Sequence, residues 1–132
     1  MKKKISGFSV ILYSILFFLS FLILTAFQNN DGNADPWKQT GIASYYASKF
    51  NGRRTASGQI FNNDSLTAAH KTLAFGSKIL VRNLKNDSVV VIVINDRLPS
   101  SSKRLIDLSY AAAKQLNFIR EGLVTVTIEK TD

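Results

Sequence analysis

The sequence predicts a mainly β fold, a small barrel with one helix, preceded by an apolar N-terminal helix. Three observations predict it. Four runs carry strand patterning, one stretch repeats apolar residues every four positions, and few residues are left for anything more. Of the 132 residues, about 98 (35–132) remain once the charge-free run at 8–27 and the polar segment after it are set aside. That is enough for one compact unit.

The N-terminal run, FSVILYSILFFLSFLILTAF, follows Lys2, Lys3 and Lys4. This charge bias keeps the N-terminus cytoplasmic and sends the rest of the chain across the membrane. As a helix the run would extend roughly 30 Å, the thickness of a bilayer core. A cleaved signal has a shorter apolar stretch, about 7–15 residues. Gly32-Asn33-Ala34 nevertheless offers small residues at cleavage spacing. Residues 1–27 are therefore read as a signal peptide or an inner-membrane anchor. Either one places the following domain outside the cytoplasm, in the periplasm or cell envelope. Residues 28–38, QNNDGNADPWK, have the composition of a linker.

The barrel elements follow in order. The first strand is expected at 41–47 (GIASYYA), where Tyr45 and Tyr46 must face opposite ways. Residues 49–63 form a long Gly- and Asn-bearing loop, of the kind that is usually functional in a small barrel. Short strands are expected near 66–69 and 104–106. A second long strand, 78–84 (KILVRNL), leads through an Asn86-Asp87 turn into 88–95 (SVVVIVIN). Its six successive β-branched residues fit a strand buried on both faces. Leu108, Ala112 and Leu116 then mark a helix over 109–117, with Asp107 or Ser109 as its cap. The last strand, 122–129, alternates Val124, Val126 and Ile128 with Thr125, Thr127 and Glu129.

Composition narrows the chemistry. The chain has no Cys, which excludes a disulfide scaffold and a thiolate nucleophile, and its single His argues against a zinc site. No cofactor or metal is expected. The 17 basic residues less Lys2, Lys3 and Lys4 leave 14 in the exported part against 8 acidic ones, a charge of +6. Such a surface suits an anionic partner or simple solubility. Nucleic acid is not expected, because the domain works outside the cytoplasm and its charges form no basic run.

Most of the acids have ordinary places. Asp87 sits in a turn, Asp107 near a helix start and Glu129 on a wet strand face. Asp96 differs because it ends the most apolar strand. A carboxyl there loses hydration, which favours the protonated form that a general acid needs. It can equally start a turn and bond to its own loop. His70 has two readings as well, a structural hydrogen-bonding residue or a catalyst.

The segments GIASYYASKFNGRRTASGQIF, TAAHKTLAFG, KILVRNLKN, VVVIVINDRLP and RLIDLSYAAAKQL resemble, in order and spacing, the rare lipoprotein A (RlpA) family. The resemblance runs from Gly41 to about Glu129. It implies a six-stranded double-psi β-barrel, related to expansins, over residues 39–130. It also implies an endolytic peptidoglycan lytic transglycosylase. Such an enzyme cleaves the bond between N-acetylmuramic acid (MurNAc) and N-acetylglucosamine (GlcNAc) without water and leaves a 1,6-anhydro end on the MurNAc. One acid/base suffices for that reaction, where a hydrolase needs two carboxylates. The implied catalytic residues are Asp96, of the N-D-R motif, and His70, of T-A-A-H. Gln59 stands where the family has a Glu, and Tyr46, Thr55 and Arg97 join it as candidate substrate contacts. Gln59 can bond a sugar hydroxyl but cannot ionise, which sets the alternative: a non-catalytic, expansin-like module that only binds glycan. Leu98 and Ala74 replace a Gly and a Pro common in the family. The expected partners are peptidoglycan glycan strands and, through 8–27, the inner membrane, with the domain acting as a monomer.

Overall fold

The computed structural model describes residues 7–26 and 37–131, with side chains for 7–17 and 37–131. The chain divides into two compact units, Met1–Ala34 and Asp35–Asp132. In the first, the apolar run forms helix α1 (Gly7–Ala26). Among the described residues no helix is long and apolar enough to cross a membrane. The Gly32-Asn33-Ala34 site and linker residues 28–36 lie outside the described residues.

The second unit contains six strands and one α-helix: β1 (Lys38–Tyr45), β2 (Thr67–His70), β3 (Lys78–Asn83), β4 (Val89–Asp96), β5 (Ile106–Leu108), α2 (Tyr110–Gln115) and β6 (Val124–Lys130). The strands close in the order β1-β5-β2-β4-β3-β6. Closure leaves no open sheet edge, the main aggregation hazard of a short β domain. β1 pairs β5 and β2 pairs β4 in parallel, and the other four contacts are antiparallel.

Every strand places apolar residues in the interior. Ala43, Ala68, Ile79, Val81, Ile92, Ile94, Ile106, Leu108, Val126 and Ile128 are fully buried, and Ala112, Ala113, Leu116 and Phe118 join the same core. Burying each large aliphatic side chain contributes about 1.5–3 kcal/mol. A truncation such as Ile92→Ala should cost about 2–5 kcal/mol. At Gly41 a Cβ would come 2.7 Å from the Cβ of Leu105, so the close approach of that segment to β1 requires glycine.

Two expectations need correction. β4 is not buried on both faces: its burial alternates, and Val89 and Val91 are each 44% exposed. The β-branched run fills the barrel with one face only, and among the described residues its other face stays open to solvent at Val89 and Val91. The helix is also shorter than 109–117. Ser109 stands outside it as the cap, its Oγ accepting from the Ala112 amide at 3.3 Å, and Asn117 adopts φ 55°, the left-handed turn that ends a helix.

Candidate active site at the end of β4

A bulge decides where the Asp96 carboxylate points. Ala68 pairs with Ile94, but Ala69 pairs with Asp96, so Asn95 is the extra residue in the ladder. In a regular strand Asp96 would share the face of Ile94 and point into the core. The bulge turns it onto the face of Ala69 instead, a common use of bulges beside functional sites. Register carries the same row further, from Ala69 to Asp107 on β5 and from Asp107 to Ser44 on β1. Two carboxylates thus share one face of the sheet, two strands apart, roughly 10 Å at the ordinary strand spacing.

Loop 53–61 folds over Asp96. Its ends meet at the Arg54–Ile60 bridge, and the amide and hydroxyl of Thr55 both donate to the Gln59 carbonyl, at 2.8 and 3.0 Å. Gly58, with φ 89°, makes the tight reversal. The loop is fastened to the bulge by the Ser57 amide on the Asn95 carbonyl at 3.2 Å. Asn95 in turn donates its side-chain amide to Gln59 Oε1 at 3.3 Å. This arrangement sets the Ala56 amide 2.9 Å from Asp96 Oδ1.

Asp96 receives two more donors. The Arg97 amide lies 2.9 Å from Oδ1, and the Tyr46 hydroxyl lies 2.5 Å from Oδ2. Among the described residues no cationic side chain pairs with it. The Tyr46 ring is fixed between Phe61 (centroids 4.4 Å apart) and Phe50 (5.9 Å). Burial, and then the bond to Asp96, push the Tyr46 hydroxyl far above its ordinary range, so it stays a donor at any physiological pH. Above Asp96 opens a cavity of about 310 Å³, with Thr55 on its wall and Arg53 and Arg54 at its side.

His70 is placed differently. Its ring is buried, and Nδ1 accepts from the amides of Thr72 and Leu73, both at 3.1 Å. Nε2 therefore carries the proton and faces Gln39 Oε1 at 3.3 Å. Burial, followed by the nearby Arg97 and Lys71, lowers its pKa below the ordinary imidazole value and keeps it neutral. Among the described residues its ring makes no hydrogen bond to Asp96. The link between them runs through the backbone: the His70 carbonyl accepts from the Leu98 amide at 3.4 Å and from Arg97 Nη1 at 3.5 Å. The Arg97 guanidinium lies over the Phe75 ring at 4.0 Å. Asp96, Tyr46 and Thr55 thus meet at one cavity. Gln59 holds Asn95 at its edge, and His70 and Arg97 support the chain leaving β4.

Sequence reasoning missed several parts. Asp107 shares the row, gripped by Arg104 through Nε–Oδ1 at 2.6 Å and Nη2–Oδ2 at 2.9 Å, with Ser44 Oγ donating at 2.6 Å. Only strand register could have revealed that. The packing of Phe50 and Phe61 against Tyr46 was not legible either. The Ala56 amide leaves no mark in the sequence.

A family profile described as lytic transglycolase, of the double-psi β-barrel type, matches residues 38–128. The endolytic peptidoglycan transglycosylase RlpA of Haemophilus influenzae is 51% identical over 104 residues, 78% of this chain and 36% of that protein. The protein of the same name from Pseudomonas aeruginosa is 43% identical over 108 residues, 82% of this chain and 31% of its own length. The chain thus spans about a third of the curated relatives it matches. Among solved structures, a Streptomyces papain inhibitor aligns with a TM-score of 0.60 at 24% identity, covering 73% of this chain and 96% of that one. An expansin from Clavibacter michiganensis aligns with a TM-score of 0.58 at 18% identity, over 73% of this chain and 51% of that one. Both share the fold.

Proposed function

The chain belongs to the lytic transglycolase family of double-psi β-barrel domains, and on that footing we propose that it is an endolytic peptidoglycan transglycosylase acting in the cell envelope. In this reading residues 1–27 export or anchor the chain, 28–38 link, and 39–130 form a monomeric catalytic barrel. The observation that carries it is Asp96: a carboxylate facing a cavity, oriented by three uncharged donors and, among the described residues, without a cationic partner.

The chemistry follows from those donors. Two amide N–H groups occupy Oδ1, so the transferable proton sits on Oδ2. Protonated Asp96 gives it to the oxygen joining MurNAc C1 to GlcNAc C4, and that bond breaks with the electron pair going to oxygen. The three donors stabilise the carboxylate left behind, and its charge faces the oxocarbenium forming at C1. Asp96 then takes the proton from the MurNAc C6 hydroxyl as that oxygen bonds to C1. The acid is regenerated, and no water is consumed. Thr55 and Tyr46 serve the substrate side of this site, Tyr46 by orienting Asp96 as well, while Gln59 holds the covering loop to Asn95 and Arg97 braces the chain leaving β4. His70 acts as a positioning residue, gathering the 70–73 turn and receiving Arg97 and Leu98 on its carbonyl.

Incubation of the full chain in mild detergent with purified peptidoglycan, followed by mass spectrometry, should yield 1,6-anhydro products that Asp96→Asn abolishes. The second reading, a glycan-binding module, is favoured by Gln59, whose amide cannot ionise. It would appear as co-sedimentation with cell-wall sacculi without any anhydro product.

A further inference from the structure

A second hollow, about 480 Å³, lies beside the one over Asp96, and Tyr46 lines both. Its size is within the range of small-molecule sites. One wall is aromatic: Tyr110, 41% exposed, stands edge-on to Tyr45 with centroids 6.0 Å apart. Another wall is a pair of clamped carboxamides. Asn51 Oδ1 accepts from the Asn63 amide at 2.9 Å, and Asn63 Oδ1 accepts from the Tyr110 amide at 2.7 Å. Both oxygens being used, each carboxamide is fixed, and among the described residues its NH2 group has no acceptor. Asp64, exposed and without an ion pair among the described residues, supplies an acceptor.

An apolar ring face, fixed amide donors and one acceptor are the groups that recognise a sugar with hydroxyl and acetamido substituents. The two hollows differ in charge. The one over Asp96 carries Arg53 and Arg54, whereas among the described residues Asp64 is the only acidic or basic side chain lining the second. A unit bearing a carboxylate is drawn to the first and repelled from the second. MurNAc carries a lactyl ether that ends in a carboxylate or the peptide attached to it, and GlcNAc is neutral.

We infer that the second hollow binds the neutral GlcNAc on the leaving-group side of the scissile bond, with MurNAc lying toward Arg53 and Arg54. This fixes the direction of the glycan strand, and it rests on the reading of Asp96 as the acid that protonates the oxygen between the two units.

The probe is tri-N-acetylchitotriose, a neutral GlcNAc oligomer, titrated against the full chain in detergent by calorimetry. Tyr110→Ala should weaken binding by about tenfold, and Leu123→Ala, at an exposed position outside both hollows, should leave it within about twofold. Tyr110 is exposed, so its truncation leaves the core intact. Unchanged affinity in Tyr110→Ala, or no binding at millimolar probe, overturns the inference. Arg53→Ala should leave chitotriose affinity unchanged; a tenfold loss there would overturn the assigned direction. The outcomes also separate the inference from the reading beneath it. Tyr110-dependent binding with no anhydro products retains the sugar site and removes the enzyme. Anhydro products with an unchanged KM in Tyr110→Ala retain the enzyme and remove the sugar site.

Discussion

Asp96 and Asp107 stand on the same face of the same sheet with only Ala69 between them, and their surroundings differ in one respect. Asp107 is held by two nitrogens of a guanidinium and by Ser44, and the bond to that carboxylate raises the Arg104 pKa further. Asp96 is held by two amides and a phenol, with no cation among the described residues. A bidentate ion pair ties a carboxylate to its guanidinium through two charge-assisted bonds and fixes both side chains together. Asp96, held by neutral donors, is oriented without that clasp and keeps an oxygen facing the cavity. Geometry alone would make the two aspartates equal candidates; the charge of the donors separates a structural clasp from an acid.

The largest expected effect tests that separation directly. Asp96→Asn keeps the shape and removes the transferable proton, so anhydro-product formation should fall by about 10³-fold or more while Tm changes little. Asp107→Asn should do the reverse. It leaves Arg104 facing an amide on a part-buried face, which should cost about 1–2 kcal/mol and lower Tm by several degrees, with turnover reduced less than about tenfold. Thermal melts and product assays on the two purified variants decide the matter. If Asp107→Asn were the inactive and stable one, the roles would be exchanged.

Tyr46→Phe comes next. It removes one of three donors while Phe50 and Phe61 keep the ring in place. Turnover should drop by about tenfold, the worth of one oriented hydrogen bond to a charged group, with KM for peptidoglycan within about twofold. A matched loss in KM would mean that the hydroxyl serves the sugar rather than Asp96.

How much of this was legible in the sequence depends on whether a feature is local. The alternation of Val124, Val126 and Ile128, the spacing of Leu108, Ala112 and Leu116, and the Asn86-Asp87 turn were readable because each is a property of a few successive residues. They gave a β domain with one helix. The small size of the domain also pointed to a barrel, whereas the six-stranded double-psi topology came only through the family resemblance, and the strand order is seen in the structure alone. The orientation of Asp96 was not readable, because it depends on skipping Asn95 when β4 pairs with β2, a register between segments about 25 residues apart. His70 illustrates the same limit: nothing in T-A-A-H indicates that Nδ1 is taken by the amides of Thr72 and Leu73.

His70 also sets a pH dependence on the structural side of the comparison. Its folded pKa lies below the unfolded value of 6.5, first through burial and then through Arg97 and Lys71. Between those two values the unfolded chain binds more protons, so stability rises with pH there; it is complete above 6.5 and declines as pH falls toward the folded value. Tm should therefore decrease as buffers are taken below pH 6.5. In His70→Gln, Tm should be lower throughout but lose most of that slope. A slope equal to that of the unsubstituted protein would assign the acid sensitivity to the carboxylates instead.

The smallest expected effect concerns the edge of the Asp96 site. In Gln59→Glu the new carboxylate can still accept from Asn95 Nδ2, as Gln59 Oε1 does at 3.3 Å, so the loop keeps its attachment to the bulge. What changes is charge, added at an exposed position one residue from the neighbour of Asp96. Through solvent a unit charge at such a range is worth well under 1 kcal/mol, and salt screens it further. It favours the cationic transition state at MurNAc C1, so turnover should rise by about threefold at low ionic strength and by less at high salt. The same substitution at a position acting on the Asp107 clasp would change Tm and not rate. A rise of about 10²-fold would mean that Glu in this position takes a proton itself, which would move the acid from the end of β4 to the loop that covers it.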